Sequence, residues 1–473
     1  MKSLLRKVVC VGSLLLLTCG LVAAQVLYIH QIDVGEGDSS LIVSPTGKTM
    51  LIDGGDVGMG NAKVRPYLAS LGITHLDYVV LSHYHYDHMM GLQETLSALG
   101  TANYGPVYDR GTSPAPPTNS GYTNYAATVA PRRAATSLGQ VIDLGGGVRM
   151  TCIARSGSVL NYGAISGTSG EDDLCLAWVL RFNKFKYYTG GDSGGEKTSD
   201  YVDLETPMAP DIGVVDAFKV DHHTSQYSTN QTFVNTLQPL VAVASLGTGN
   251  SYGFPTQTVL NRLASANCMI YLTETGSGGT IPNGHGWAAN NNIVISTTGT
   301  STFTVTFGSS SQTYTLHSYS TSGNQYNYYP TSVAINTGRL KGGDYTALGG
   351  DDSNYFSVTS FPNPGAQIVD WTATTTITQA AGTISNLSVT YKGRYSAGES
   401  QKLYLYDNYT SSWQQIDSRS VGVHDQTITW SPTSFPSDFV DAGGNIKLRV
   451  VATSPKMPYN CHANLVKFTI TAP

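Results

Sequence analysis

The chain has 473 residues, of which 12 % are charged, with 51 glycines, 29 tyrosines and a formal charge of -5. At about 100–200 residues per domain this length calls for two or three domains, and a hydrophobic fraction of 40 % excludes wholesale disorder. No Gly-X-Y period is present, which excludes a collagen-like fibre, and the low charge with abundant Gly and Tyr leans towards β-rich extracellular architecture.

Residues 1–24 read as a signal peptide. Lys2, Arg6 and Lys7 form a positive start, Val8 to Leu17 an apolar stretch, and Val22, Ala23 and Ala24 a small-residue cleavage site. The stretch is short for a span of ~20 residues and is broken by Gly12, Ser13, Thr18 and Gly20, so a membrane anchor is disfavoured. The expected location is therefore secreted, periplasmic or at the cell surface, with no membrane span after cleavage. Losing those three basic residues and no acid moves the net charge from -5 to -8. Proteins that bind nucleic acid through their overall field are normally basic, so tight nucleic-acid binding is not expected.

From residue 26 strand-like runs alternate with helix-like ones. VLYIHQI (26–32), SLIVS (40–44), TMLID (49–53) and YVVLS (78–82) are apolar and β-branched, while 61–71 and 255–266 carry helical spacing. Residues 104–135 form a long Tyr-, Pro- and Ser-rich insertion, read as a lid or a substrate wall. After about residue 300 helical periodicity vanishes. Short alternating runs such as KLYLYD (402–407) and IKLRVVA (446–452) predict a separate β-sandwich. The expected organisation is α/β over 25–300, a linker at 301–316 and a jelly-roll-like all-β domain at 317–473.

Cys152, Cys175, Cys268 and Cys461 remain after signal cleavage. An even number in an oxidising compartment suits disulfides, with Cys152–Cys175 the favoured pair; four buried thiols is the competing reading. No Cys-x-x-Cys spacing exists, which argues against a thiolate metal site.

The strongest chemical signal is SHYHYDHMMG (82–91), directly after an apolar strand. His83, His85, Asp87 and His88 crowd one loop, and imidazole with carboxylate suits Zn²⁺ or another divalent transition metal. This His-x-His-x-Asp-His pattern resembles the signature of the metallo-β-lactamase superfamily, in which the first two histidines serve one metal and the Asp-His pair a second. IDVGEGDSSLIVSPTGKTMLIDGG (32–55), GGD (190–192) and KVDHHTSQYSTN (219–230) resemble one branch of it, which includes the metallohydrolase domain of the DNA-uptake competence protein and secreted phosphorylcholine esterases.

The resemblance implies an αββα sandwich holding two divalent ions, Zn²⁺ first and Mn²⁺ second. His83, His85, Asp87, His88, Asp192 and His223 would be the ligands, with Asp192 bridging. Asp87 and His222 carry the catalytic roles, although the sequence alone does not separate His222 from His223. Two departures stand out. No histidine occurs between His88 and His222, so Glu171, Asp172 or Asp173 would complete the first site with oxygen. Thr224 replaces the usual Gly after the His pair. Asp53 is expected beneath the ligands as an orienter, Asp33 and Asp38 chiefly as turn formers, and Ser225, Ser228 and Thr229 as neutral donors to substrate. The remaining histidines, among them His30, are read as surface or packed residues. The implied activity is metal-dependent hydrolysis of a phosphoester, more specifically a diester. Amide or lactam hydrolysis and a surface-binding protein with a vestigial metal site compete with it, the latter through polysaccharide contacts of the C-terminal domain.

Overall fold

The computed structural model describes residues 25–168, 170–317, 324–379, 381, 384–432, 435–441, 443–455 and 457–472. The expected signal peptide lies outside the described residues.

The chain opens with β1 (Leu27–Gln31), β2 (Ser40–Val43), β3 (Thr49–Ile52), β4 (Tyr78–Val80), β5 (Val107–Asp109) and β6 (Arg133–Ala135). A second sheet takes β7 (Val141–Gly145), β8 (Val148–Arg155), β9 (Ser158–Val159), β10 (Gly163–Ala164), β11 (Ala177–Phe182) and β12 (Phe185–Thr189). It continues with β13 (Ala217–Lys219), β14 (Val241–Ala244), β15 (Met269–Leu272) and β16 (Gly286–Ala288). The chain then returns to the first sheet through β17 (Ile293–Thr297), β18 (Thr302–Phe307) and β19 (Ser310–Thr315). The orders are β19-β18-β17-β1-β2-β3-β4-β5-β6 and β10-β9-β8-β11-β12-β13-β14-β15-β16, with β7 also on β8. Residues 301–316 are thus no linker. TFTVTF alternates, and the buried side chains Phe303 and Val305 join the core between the sheets, so the first domain runs to about residue 316.

Period-two alternation builds the layers. Ile42, Ile52 and Val80 point between the sheets and meet Trp178, Leu180 and Phe182 of β11. Their neighbours Leu41, Leu51 and Val79 face the other way, where Leu92 and Leu96 of α2 (Tyr86–Leu99) pack on them. On the second sheet Val179, Tyr188 and Phe218 meet Met208 of α4 (Glu205–Ile212), Phe233 of α5 (Gln231–Leu237) and Leu260 of α6 (Gln257–Ser265). Burial on both faces explains why these strands read as near-continuous apolar runs; each fully buried large aliphatic side chain contributes roughly 1.5–3 kcal/mol. The helix-like spacing at 61–71 becomes a π-turn and α1 (Arg65–Ser70).

The insertion at 104–135 is neither lid nor wall. It supplies β5, α3 (Ser120–Val129) and β6, with Tyr122 and Tyr125 buried under the first sheet. Three-residue strands among Pro and Ser leave too little periodicity to read from sequence. The four cysteines are buried free thiols, and Cys152 and Cys175 are not bridged.

The remaining chain forms two antiparallel sheets around one core. Strands 339–342, 356–359, 460–472, 386–395 and 426–430, with 324–328 also on 460–472, make one, and 332–337, 366–376, 445–454, 399–407 and 412–421, with 361–363 also on 366–376, the other. Trp371 lies at the centre of that core, Trp430 packs on its edge, and Trp413 is half-buried against Tyr406. The domains meet where Arg181 of β11 pairs with Asp438, its guanidinium lying 4.3 Å from the ring centre of Tyr409 and 4.9 Å from that of Phe435.

Candidate metal centre

The carboxyl ends of β3 and β4 on one sheet and of β12, β13 and β14 on the other meet at one edge of the sandwich. Pairs β3–β4, β12–β13 and β13–β14 are parallel, so their ends point the same way. The loop after β4 and the first turn of α2 carry His83, His85, Asp87 and His88. The turn after β12 carries Asp192, and that after β13 carries His222 and His223.

Close glycine contacts hold α2 against the turn after β3. A Cβ on Gly91 would lie 1.9 Å from the Gly54 carbonyl oxygen, and one on Gly54 2.0 Å from the Leu92 nitrogen. Only hydrogen fits at both positions, which brings the Gly54 N–H within 2.9 Å of the His88 carbonyl.

Two donor sets face each other. In the first, His83 Nε2 lies 3.0 Å from His85 Nδ1 and 3.4 Å from Asp172 Oδ1, and His85 Nδ1 is 2.8 Å from the same oxygen. In the second, His88 Nε2 lies 3.5 Å from Asp87 Oδ2 and 3.2 Å from Asp192 Oδ2. His223 Nε2 lies 3.3 Å and 3.4 Å from the same two oxygens. Asp192 Oδ2 is also 3.9 Å from His83 Nε2, so this oxygen stands between the sets. Tetrahedral zinc with bonds of about 2.0–2.1 Å places its ligands about 3.3 Å apart. Asp172 Oδ1 and His223 Nε2, one in each donor set, are buried with no well-aligned hydrogen bond among the described residues, which is costly unless a cation takes the lone pairs. The residues present therefore fit two divalent ions.

The rings are aimed from behind. Asp53 accepts from His88 Nδ1 at 2.9 Å and from the Ser82 N–H and hydroxyl at 2.7 Å each. Ser82 Oγ in turn lies 3.0 Å from His83 Nδ1 and, having donated to Asp53, accepts there. His223 Nδ1 donates to the Ser245 carbonyl at 2.8 Å. In each ring the Nδ1 proton is thereby fixed and Nε2 faces the centre. Burial opposes the charge on Asp87, yet His88 and His223 more than offset it and hold the carboxyl well below its usual range. Asp192 is held low likewise, His88 and His223 outweighing its burial.

The three candidate oxygens separate cleanly. Asp172 reaches the histidines. Glu171 instead clamps Arg110 at 2.6 and 2.8 Å and accepts from the Tyr84 N–H. Asp173, expected near the ions, accepts from the Val202 N–H at 3.0 Å and the Gly170 N–H at 3.3 Å, so it ties its loop to the segment before α4. A 3₁₀ turn over Asp172–Leu174 points the successive carboxylates apart.

His222 lines a cleft of about 710 Å³ over the donor sets, with Tyr201 at 5.8 Å and Phe254 at 5.9 Å between ring centres. Its Nε2 lies 3.9 Å from Asp192 Oδ2. Burial lowers its pKa, leaving the ring neutral at pH 7. Ser225 also lines the cleft. Ser228 does not: its hydroxyl is buried and donates to the carbonyls of Asp221 and Ser225, at 2.8 and 3.0 Å. Thr229 is fully buried, its N–H held by Glu205.

His222, His223 and Thr224 have φ of +48°, +48° and +73°. Left-handed conformations cost of order 1–3 kcal/mol each in non-glycine residues and persist only where the surroundings enforce them. Here Thr224 accepts twice from Thr256, its hydroxyl from the Thr256 N–H at 3.2 Å and its carbonyl from the Thr256 hydroxyl at 2.5 Å. The sequence reading passed over Ser82, Ser245 and Lys219, whose Nζ pairs with Asp38 and donates to the Gly191 carbonyl at 2.7 Å. Lys219 stands in the strand before the His pair, and a lysine in an apolar run was the available signal.

Residues 32–152 match the family described as the Metallo-beta-lactamase superfamily. The fold and this segment define the first domain as a metallo-β-lactamase domain of a hydrolase superfamily, and its His/Asp clusters fit a binuclear metal site. The chain is similar to Competence protein ComA of Neisseria gonorrhoeae, 27 % identical over 248 residues, covering 51 % of this chain and 30 % of that protein. ComE operon protein 3 of Bacillus subtilis (strain 168) is 25 % identical over 263 residues, covering 52 % and 32 %. The chain thus spans about a third of the length of these relatives. Among solved structures, the metallo-beta-lactamase fold protein YhfI from Bacillus subtilis is 13 % identical with a TM-score of 0.35, covering 54 % of this chain and 98 % of that one.

Proposed function

We propose that the chain is a binuclear-metal hydrolase of phosphoesters, chiefly phosphodiesters, acting outside the cytoplasm. The observation that carries this reading is the second donor set, in which Asp87 and His88 of one sheet meet Asp192 and His223 of the other. Divalent ions, one in each donor set, would supply Lewis acidity that acidifies water and neutralises an oxyanion.

The protein's own groups do the rest. Asp192 Oδ2 holds the two donor sets in register. Neutral His222, on the cleft wall, offers one N–H to a non-bridging oxygen or to the leaving group. Ser225 stands beside it, although its hydroxyl already accepts from the Tyr227 N–H at 3.3 Å. Preorganised donors of this kind stabilise charge that develops as the phosphorus centre expands. The oxygen of Asp172 in place of a third imidazole makes the first position harder and admits Mn²⁺ beside Zn²⁺. No helix among the described residues is long and apolar enough to cross a membrane. Polysaccharide binding by the C-terminal domain belongs to the same proposal, as a means of holding the hydrolase at a surface.

The test measures metal per chain by elemental mass spectrometry and turnover of bis(p-nitrophenyl) phosphate, for the protein and for Asp87→Ala. Two ions, turnover, and loss of both one ion and turnover in the variant support the reading. Unchanged turnover in Asp87→Ala sinks it. Nitrocefin cleavage exceeding diester cleavage would move the assignment to lactam hydrolysis.

A further inference from the structure

Asp38, Asp53, Asp87, Asp172 and Asp192 all approach the donor histidines within 3.9 Å. Five carboxylates around one centre, four of them buried and Asp87 at the cleft, repel one another strongly in low dielectric. Two divalent ions would offset four of these charges. The fifth needs a cation of the protein's own.

Lys219 is buried at the end of β13 and reaches the centre from the floor. Its Nζ pairs with Asp38, donates to the Gly191 carbonyl at 2.7 Å and lies 3.8 Å from Asp192 Oδ1. Asp38 sits on the far edge of the rings. Its oxygens lie 3.7 Å from His88 Nδ1 and 3.8 Å from His223 Nδ1, the nitrogens already engaged by Asp53 and the Ser245 carbonyl. The cluster Asp38, His88, Asp192 and His223 is compact enough to suggest Asp38 as a ligand. The ammonium and the ring edge argue against it.

We propose that Lys219 is a positioning residue that serves as a resident monovalent cation: it neutralises Asp38, keeps it out of the ligand set and holds the turn of Asp192 in place before any metal arrives. The proposal rests on reading the site as a two-ion centre. Asp192 is then divided between partners, with Oδ1 turned to the ammonium and Oδ2 to the imidazoles. Removing the ammonium leaves an unpaired buried carboxylate in the metal-free protein, while added cations can take over part of its role. A residue that only fills space would affect the metal-free and metal-loaded forms alike.

The test uses the full chain as Lys219→Met, Asp38→Asn and the double variant, with melting temperature measured after chelation and after zinc saturation. Loss of one partner of a buried pair should lower the melting temperature of metal-free Lys219→Met by on the order of 10 °C. The rise on adding zinc should exceed that of the unaltered protein by a similar interval. Adding Asp38→Asn to Lys219→Met should restore most of the metal-free loss, and metal per chain should be unchanged in Asp38→Asn. Equal losses with and without zinc, or a double variant no better than Lys219→Met or equally unable to fold, overturns the proposal. If the unaltered protein shows no zinc-dependent rise, the two-ion reading fails. The double-variant comparison without metal still reports whether Lys219 neutralises Asp38.

Discussion

Asp53 and His88 lie on opposite sides of a glycine-tight contact, with Asp53 Oδ2 accepting from His88 Nδ1 at 2.9 Å. The same carboxylate takes the Ser82 hydroxyl, and through it reaches His83. One buried group at φ +60° thereby sets the ring orientation in both donor sets.

Asp53→Ala is expected to weaken both metal positions together. Removing an outer partner of a ligating histidine typically costs 10–100-fold in metal affinity. Competition titration with a chromogenic chelator would read this as a parallel fall in both binding steps. Loss at one step alone would contradict the shared role of Asp53.

Asp172→Ala should remove about one ion per chain, because it deletes the oxygen 2.8 Å from His85 and 3.4 Å from His83. Glu171→Gln should leave metal content at two and reduce stability instead, by about 1–3 kcal/mol, since the carboxylate pairs with buried Arg110. Elemental analysis and chemical denaturation of both variants separate the roles. The reverse pattern would reassign the first site's oxygen.

That contrast marks how far the sequence could be read. His83, His85, Asp87 and His88 fall within six consecutive residues after an apolar strand, so their convergence needed only local geometry. Asp172 was legible as one of three adjacent acids, but a 3₁₀ turn decides which one points inward, and Glu171 just before that turn is held by Arg110 from another part of the chain. Lys219, Asp38 and the Ser245 carbonyl come together only when β13 and β14 dock beside the first sheet, and a lysine in an apolar run is the one local sign of it. Ser228 failed as a substrate donor because its hydroxyl satisfies two carbonyls of its own loop. Strands β18 and β19 were lost at the domain boundary, where a change of periodicity masks two more strands of the same sheet.

His30 gives a pH signature remote from the metals. It is buried on β1, its Nδ1 2.9 Å from the Tyr67 hydroxyl, and burial lowers its pKa from 6.5 to about 4. Above pH 6.5 the imidazole is neutral in both folded and unfolded chains and costs nothing. As pH falls from 6.5 to about 4 the unfolded chain takes up a proton that the folded one refuses, so stability is lost across that window, by about 3 kcal/mol in all. His30→Gln should flatten this part of the curve. Urea denaturation of both proteins at pH 7 and pH 4 checks it, and parallel curves would show that the imidazole is not excluded from protonation.

Arg181 ties the two domains. It leaves β11 to pair with Asp438, and its guanidinium lies over the faces of Tyr409 and Phe435, an arrangement that favours a planar cation. With side-chain exposures of 11 % and 12 %, the pair is largely removed from water. Deleting one member of a buried pair costs about 3–5 kcal/mol, because the other charge is left uncompensated. Here that cost falls on the junction rather than on either core, since both cores are built from other residues. Arg181→Ala should therefore split one calorimetric unfolding transition into two, the C-terminal sandwich melting apart from the metal-bearing domain. Asp438→Asn added to Arg181→Ala should bring the transitions closer again. A single unshifted transition in Arg181→Ala would mean that the domains are coupled elsewhere.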